Sequence, residues 1–251
     1  MIDSEEVKNF SKNSKIRRVY VGGKQVPQPE DKVVLLFGSK TVGKTTTISS
    51  ILNFLYDVKK HYNFRFIIDK NTEPTDELVE YVISNSVLPY SVTFVDTPGL
   101  VDVDGYIETS SIIREWFEER LLQDGQFYLD AITIVLRSND EELSWPYIHE
   151  LAAVKRMFGD DLKVNVLPII TFSEILPQPL AVRAMANANI TFLEYYKIDN
   201  AGFFNVNRKI NGIDSSFYYD HGMQSFKRYF TVSYQILFIQ LQTDTASFSG
   251  Y

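Results

Sequence analysis

The stretch LLFGSKTVGKTTTISSIL, residues 35–52, decides how this chain is read. At its centre Gly38-Ser39-Lys40-Thr41-Val42-Gly43-Lys44-Thr45 fits the pattern G-x-x-x-x-G-K-[ST]. The spacing has a mechanical basis. Glycines let the backbone turn so that successive N–H groups point inward at phosphate oxygens, and a helix starting at Gly43 adds its positive end. VVLLFG (33–38) predicts a buried strand before the loop, and Ile48, Ile51, Leu52 and Leu55 share one face of a helix predicted from about Lys44 to Lys60. Strand, tight loop and helix are the context the motif requires. Lys44 is then the residue that bridges the terminal phosphates. The Thr45 hydroxyl takes one position on magnesium, an ion that keeps several waters and needs few protein oxygens.

A second motif defines the class of site. VTFVDTPG (92–99) places Asp96, Thr97, Pro98 and Gly99 at the end of another apolar strand, about 50 residues after Lys44. In nucleoside triphosphatases of this kind the aspartate holds magnesium and the glycine N–H reaches the γ-phosphate. Asp96 is therefore the candidate metal partner and Gly99 the candidate sensor.

The rest of the chain is consistent with an α/β nucleotide-binding protein. Its 251 residues suffice for one large domain with a sizeable core. With 45% hydrophobic, 14% aromatic and 23% charged residues it has an ordinary globular composition. A formal charge of -7 and a pI near 5.1 argue against a nucleic-acid coat, which needs a surplus of lysine and arginine. The chain has no cysteine, which removes disulfides, thiolate nucleophiles and cysteine metal sites together. No apolar N-terminal segment is seen, and a cytoplasmic protein is expected. The best apolar run, SYQILFIQLQ (233–242), is about half of a membrane span. It reads as the buried face of a helix, with a partner surface or peripheral membrane contact as the alternative.

Periodicity predicts a three-layer α/β fold: a mixed, mostly parallel sheet with helices on both faces. Residues 1–31 read as an arm or hairpin, 32–242 as the nucleotide-binding domain and 243–251 as a tail. Strands are expected at 63–69 and 78–84, as a hairpin, and at 91–96, 131–137 and 163–172. Residues 192–198 and 201–207 also read as strands. Helices are expected at about 107–122, 144–158, 180–188 and 216–241.

Gly38 to Thr46 (with Thr46 just inside the helix) and Asp96 to Gly99 together resemble a translation-factor-type GTPase domain, and within it the septins and the immunity-associated nucleotide-binding GTPases. VLPIITFSEILPQP, NAGFF and HGMQSFKRYF add a looser similarity to septin-like G domains. The resemblance implies GTP or GDP with magnesium as the ligands. It further implies guanine recognition at the end of a later strand, where the family carries [NT]-K-x-D. Here Thr171, Phe172, Ser173 and Glu174 stand in those places. Phe172 would stack where the family's lysine packs, and Glu174 would accept hydrogen bonds from guanine on a longer arm. The competing reading leaves Glu174 in a solvated loop. By the same resemblance the backbone near Asn200 and Ala201 supplies the last base contact.

A switch threonine completing the magnesium shell is sought between the first helix and Asp96. Thr72 and Thr75 are available, and Thr75 is preferred, against a plain turn. Lys40 occupies a loop position where the family has a small residue, either as a built-in cation for the γ-phosphate or pointing to solvent. Lys44, Lys40 and Thr75 are thus the candidate catalytic residues. Leu100 follows Gly99 where related enzymes position water, so slow hydrolysis is expected. The resemblance also implies a homodimer or another G-domain partner meeting across the nucleotide face. The alternatives are a non-hydrolysing nucleotide-binding interaction module and, more weakly, a kinase-like phosphoryl transferase.

Overall fold

The computed structural model describes residues 4–7, 10–68, 76–100, 109–125, 127–158, 165–173, 178–205, 209–210 and 212–247, with side chains described as far as 231. Its strands are β1 (Ser4–Glu6), β2 (Ile16–Val21), β3 (Lys32–Phe37), β4 (Leu78–Ile83), β5 (Val92–Asp96), β6 (Ala131–Arg137), β7 (Ile169–Thr171) and β8 (Tyr196–Lys197), followed by the small pair β9 (Lys209–Ile210) and β10 (Ile213–Asp214). The helices are α1 (Lys44–Leu55), α2 (Thr109–Asp124), α3 (Trp145–Met157), α4 (Leu180–Asn187), α5 (Ala201–Phe204) and α6 (Ser215–Ser247).

The first eight strands form one sheet in the order β1-β2-β4-β5-β3-β6-β7-β8. β1 with β2 and β4 with β5 are antiparallel. The remaining neighbours are parallel. Parallel strands need crossover helices, and these cover both faces. On one face Ile48, Ile51, Leu52 and Leu55 of α1 pack with Phe203 of α5 and with Phe226, Tyr229 and Phe230 of α6. On the other, Ile113 and Trp116 of α2 pack with Leu151 and Val154 of α3 and Met185 of α4. The expected three-layer α/β fold, mixed and mostly parallel, is the one observed.

Several expected elements differ. Residues 63–68 are not a strand; the neighbours of β4 are β2 and β5. The segment runs alongside α1, and side chains satisfy its backbone instead of a ladder. Asn53 donates to Phe66 O at 2.9 Å and accepts from Phe66 N at 2.9 Å, while Ile68 N donates to Ser49 Oγ at 3.1 Å. Residues 201–204, expected to be extended, form a helical turn. α1 ends at Leu55, before Asp57, whose φ is +49°. β7 is short because Pro168 has no N–H to continue the ladder; only an isolated bridge, Ile132 to Val166, lies upstream among the described residues. β1 and β2 make a hairpin whose second strand continues the main sheet, and α6 runs to Ser247.

Candidate functional site

The phosphate loop, residues 38–43, leaves the carboxyl end of β3. DTPG leaves the end of β5, Arg137 closes β6, Thr171 closes β7, and Asn200 follows β8. All five lie along the carboxyl edge of the sheet, where open α/β folds place their ligand sites. Gly43 has φ +94°, a left-handed conformation that costs glycine little, and it leads directly into α1.

Lys44 is buried, and its Nζ donates to Gly38 O at 3.0 Å and Ser39 O at 3.1 Å. Burial draws its ammonium down to about 8; Asp96 works in the opposite sense, and Lys40 adds slightly to the decrease. A cation held by two loop carbonyls is one that phosphate oxygens could take over. Next to it, Thr45 Oγ1 donates to Asp96 Oδ2 at 2.5 Å. Two hard oxygen donors from separate motifs thus meet at the mouth of the loop, a donor set that suits magnesium. Thr46 is exposed on the first turn of α1.

DTPG is fastened to the loop. Thr97 Oγ1 donates to Leu36 O at 2.6 Å, Lys40 N donates to Leu100 O at 3.0 Å, and Leu100 N donates to Gly38 O at 3.3 Å. A Cβ on Gly99 would lie 2.6 Å from Lys40 Cα, so this close approach requires glycine. Leu100 itself belongs to the core beneath α2 and α3, which explains an apolar residue at that position.

Thr171 Oγ1 lies 2.7 Å from Val42 O and 3.0 Å from Leu136 O, tying the phosphate loop to β6 and β7. Phe172 has φ +50° and presents a ring that is 56% exposed. Asn200 faces inward: its Oδ1 accepts from Ser50 Oγ at 2.8 Å and its Nδ2 donates to Thr47 Oγ1 at 3.2 Å. Ala201 N donates to Asp199 Oδ1 at 2.8 Å. The Asn200 side chain is thus a strut between α1 and α5. Thr72, Thr75 and Glu174, the switch and base-reading candidates, lie outside the described residues.

Arg137 was not anticipated. It contacts both the phosphate loop, through Thr41, and the Phe172 ring. The available signal was a lone charge closing the apolar run AITIVLR, at the sheet edge where sites form.

Fold and loop together define a three-layer P-loop architecture. No family model and no curated protein matches the chain. Among solved structures it is similar to Toc33 from Arabidopsis thaliana, a dimerization-deficient mutant, at 15% identity over 80% of this chain and 86% of that one, with a TM-score of 0.45. It is also similar to the bacterial selenocysteine-specific elongation factor EF-Sec, at 15% identity over 70% and 26% of the two chains, with a TM-score of 0.43. Era from Aquifex aeolicus, bound to GDP.AlF4-, matches at 20% identity over 68% and 51%, with a TM-score of 0.42. Among the described residues no helix is long and apolar enough to cross a membrane.

Proposed function

We propose that the protein binds a guanine nucleoside triphosphate with magnesium, hydrolyses it slowly and uses the bound state to control association with a second G domain. The observation that carries this reading is the meeting of two motifs at one point. Lys44 is enclosed by the loop carbonyls beside the Thr45–Asp96 pair, with Gly99 packed on Lys40. Loop N–H groups and Lys44 would hold the β- and γ-phosphates, and Thr45 and Asp96 would hold the metal, with Thr75 the candidate third oxygen. Bound magnesium would neutralise charge on the phosphates. Gly99 N–H would report on the γ-phosphate, and a change there would reach Leu100 and the core beneath α2 and α3 through the bridge between Ser39 and Leu100.

Guanine is preferred because a carboxylate at Glu174 would accept from its ring N–H and amino group, whereas adenine offers an acceptor at the ring position. Phe172 would supply the stacking face and Thr171 the anchorage of this strand end to the loop. Leu100 is committed to the core and cannot orient water, so a partner subunit is the proposed source of the missing group.

Calorimetric competition between GTP and ATP with magnesium tests binding, and single-turnover phosphate release at several protein concentrations tests hydrolysis. Preference for GTP and a rate that rises with protein concentration are expected. Equal affinity for the two nucleotides would remove the guanine assignment, and no release over hours would favour the non-hydrolysing module. Lys44→Ala should abolish nucleotide binding while leaving the circular dichroism spectrum unchanged.

A further inference from the structure

Thr41 is the strained residue of the phosphate loop. Its φ is +61°, a left-handed conformation in which a β-branched residue is an outlier. Such a residue persists only where its surroundings over-determine it. Three hydrogen bonds do so. Thr41 Oγ1 donates to Lys40 O at 2.7 Å. Arg137 Nη2 donates to Thr41 O at 3.0 Å and to Thr41 Oγ1 at 2.6 Å.

Arg137 is itself well fixed. Its backbone N donates to Asp140 Oδ2 at 2.8 Å, at the end of β6, and its guanidinium carbon lies 5.7 Å from the centroid of the Phe172 ring. That distance is within cation–π range. The one guanidinium therefore spans the loop that would hold phosphate and the aromatic that would face the base. A cation donating to a carbonyl makes a stronger bond than a neutral donor would.

We propose that Arg137 is a positioning residue that locks Thr41 in its left-handed conformation and so presets the phosphate loop before any ligand arrives. The arginine holds by charge a turn that glycine would adopt without help. Its effect on nucleotide affinity rests on the function proposed above; its effect on the conformation of the loop does not.

Four proteins test this: the wild type, Arg137→Met, Thr41→Gly and the double variant. Methionine keeps an apolar stem against Phe172 and removes the donors, so the fold should survive. Two quantities are read, the affinity for GTP with magnesium and the melting temperature without nucleotide. Arg137→Met should weaken binding about tenfold and lower the melting temperature, the loss expected of charge-assisted bonds. Thr41→Gly alone should weaken binding less than Arg137→Met does, because glycine occupies the left-handed region freely. The double variant should recover both quantities toward wild type, because the lock is no longer needed. A merely structural arginine, or one that touches the ligand directly, would show no such rescue. The proposal is overturned if Arg137→Met matches wild type in both measurements, or if the double variant is no better than Arg137→Met. Should the wild type bind no nucleotide, the proposed function fails while the melting series still decides the lock.

Discussion

Lys44 is placed where a phosphate would use its charge, and burial makes that charge costly. Burial holds its ammonium near 8, below the usual 10.5. A bound phosphate would keep the proton on, so binding above pH 8 takes up a proton and affinity falls. Between pH 7 and pH 9 the loss should approach tenfold, by linkage. Titration calorimetry at both pH values checks this, and a flat profile would mean that Lys44 does not meet the phosphate. The sign for folding is the reverse. Between about 8 and 10.5 the unfolded chain holds more protons than the native one, so this group's contribution to stability, measured without added nucleotide, rises with pH. In Gly99→Ala a Cβ would press on Lys40 backbone at 2.6–2.7 Å and pry Leu100 from the loop. Overpacking of this kind costs about 1–3 kcal/mol, to be read as a shifted urea midpoint with an unchanged slope. Spacing alone disclosed the roles proposed for Gly38, Gly43, Lys44, Thr45 and Asp96, because phosphate chemistry demands them at fixed intervals. Arg137 escaped notice because its partners, Thr41 and Phe172, are distant in sequence and are brought together by the order of β3, β6 and β7.

Helices and strands held their predicted type where the apolar pattern was sustained, and α3 also carries a side-chain cap. Ser144 caps α3, accepting from Tyr147 N, and proline follows in its first turn. Elements failed where a side chain took over the work of a ladder. NFRFIID has strand composition, yet Asn53 and Ser49 of α1 occupy its backbone groups and β2 occupies the sheet position beside β4. Asn200 does similar work between α5 and α1. Removing it in Asn200→Ala would leave the buried Ser50 and Thr47 hydroxyls short of a partner. A loss of about 1–3 kcal/mol is expected, with the ratio of GTP to ATP affinity unchanged, because the side chain braces the site and does not face a base. Chemical denaturation and nucleotide competition on the same variant check both halves. At the start of α2, Ser110 N donates to Glu150 Oε2 of α3 at 2.8 Å, a carboxylate cap supplied by a neighbouring helix. Glu150→Ala should cost about 1–2 kcal/mol and speed amide exchange in the first turn of α2.

Across the whole molecule, a buried ionic cluster joins the N-terminal strands to the body of the sheet. Glu80 of β4 sits opposite Arg18 of β2 in register and accepts from its Nε. Trp116 Nε1 of α2 donates to Glu80 Oε1 at 2.5 Å, and Arg120 Nε lies 3.5 Å from the same oxygen. Desolvation lowers the Arg120 guanidinium from its ordinary value, partly countered by Glu80. Glu80→Ala would take from the largely buried Arg18 its carboxylate and leave Arg120 with Asp124 alone, and a loss of about 3–5 kcal/mol is expected, seen as a lower melting temperature. If stability were unchanged, the cluster would not be what secures β2 to β4. Nothing in the segment before Lys32 announced this role, since IRRVYV acquires its neighbours only when β4 turns antiparallel to β5 and opens an edge. The three-layer class and the phosphate loop are legible along the chain, because hydrophobic period and motif spacing are local properties. Tertiary structure alone decided the strand order, the burial of Leu100, the inward turn of Asn200 and the grip of Arg137 on Thr41. Each of these depends on which distant segments share an edge of the sheet, and pairing across long loops is set by packing and hydrogen-bond satisfaction over the whole core.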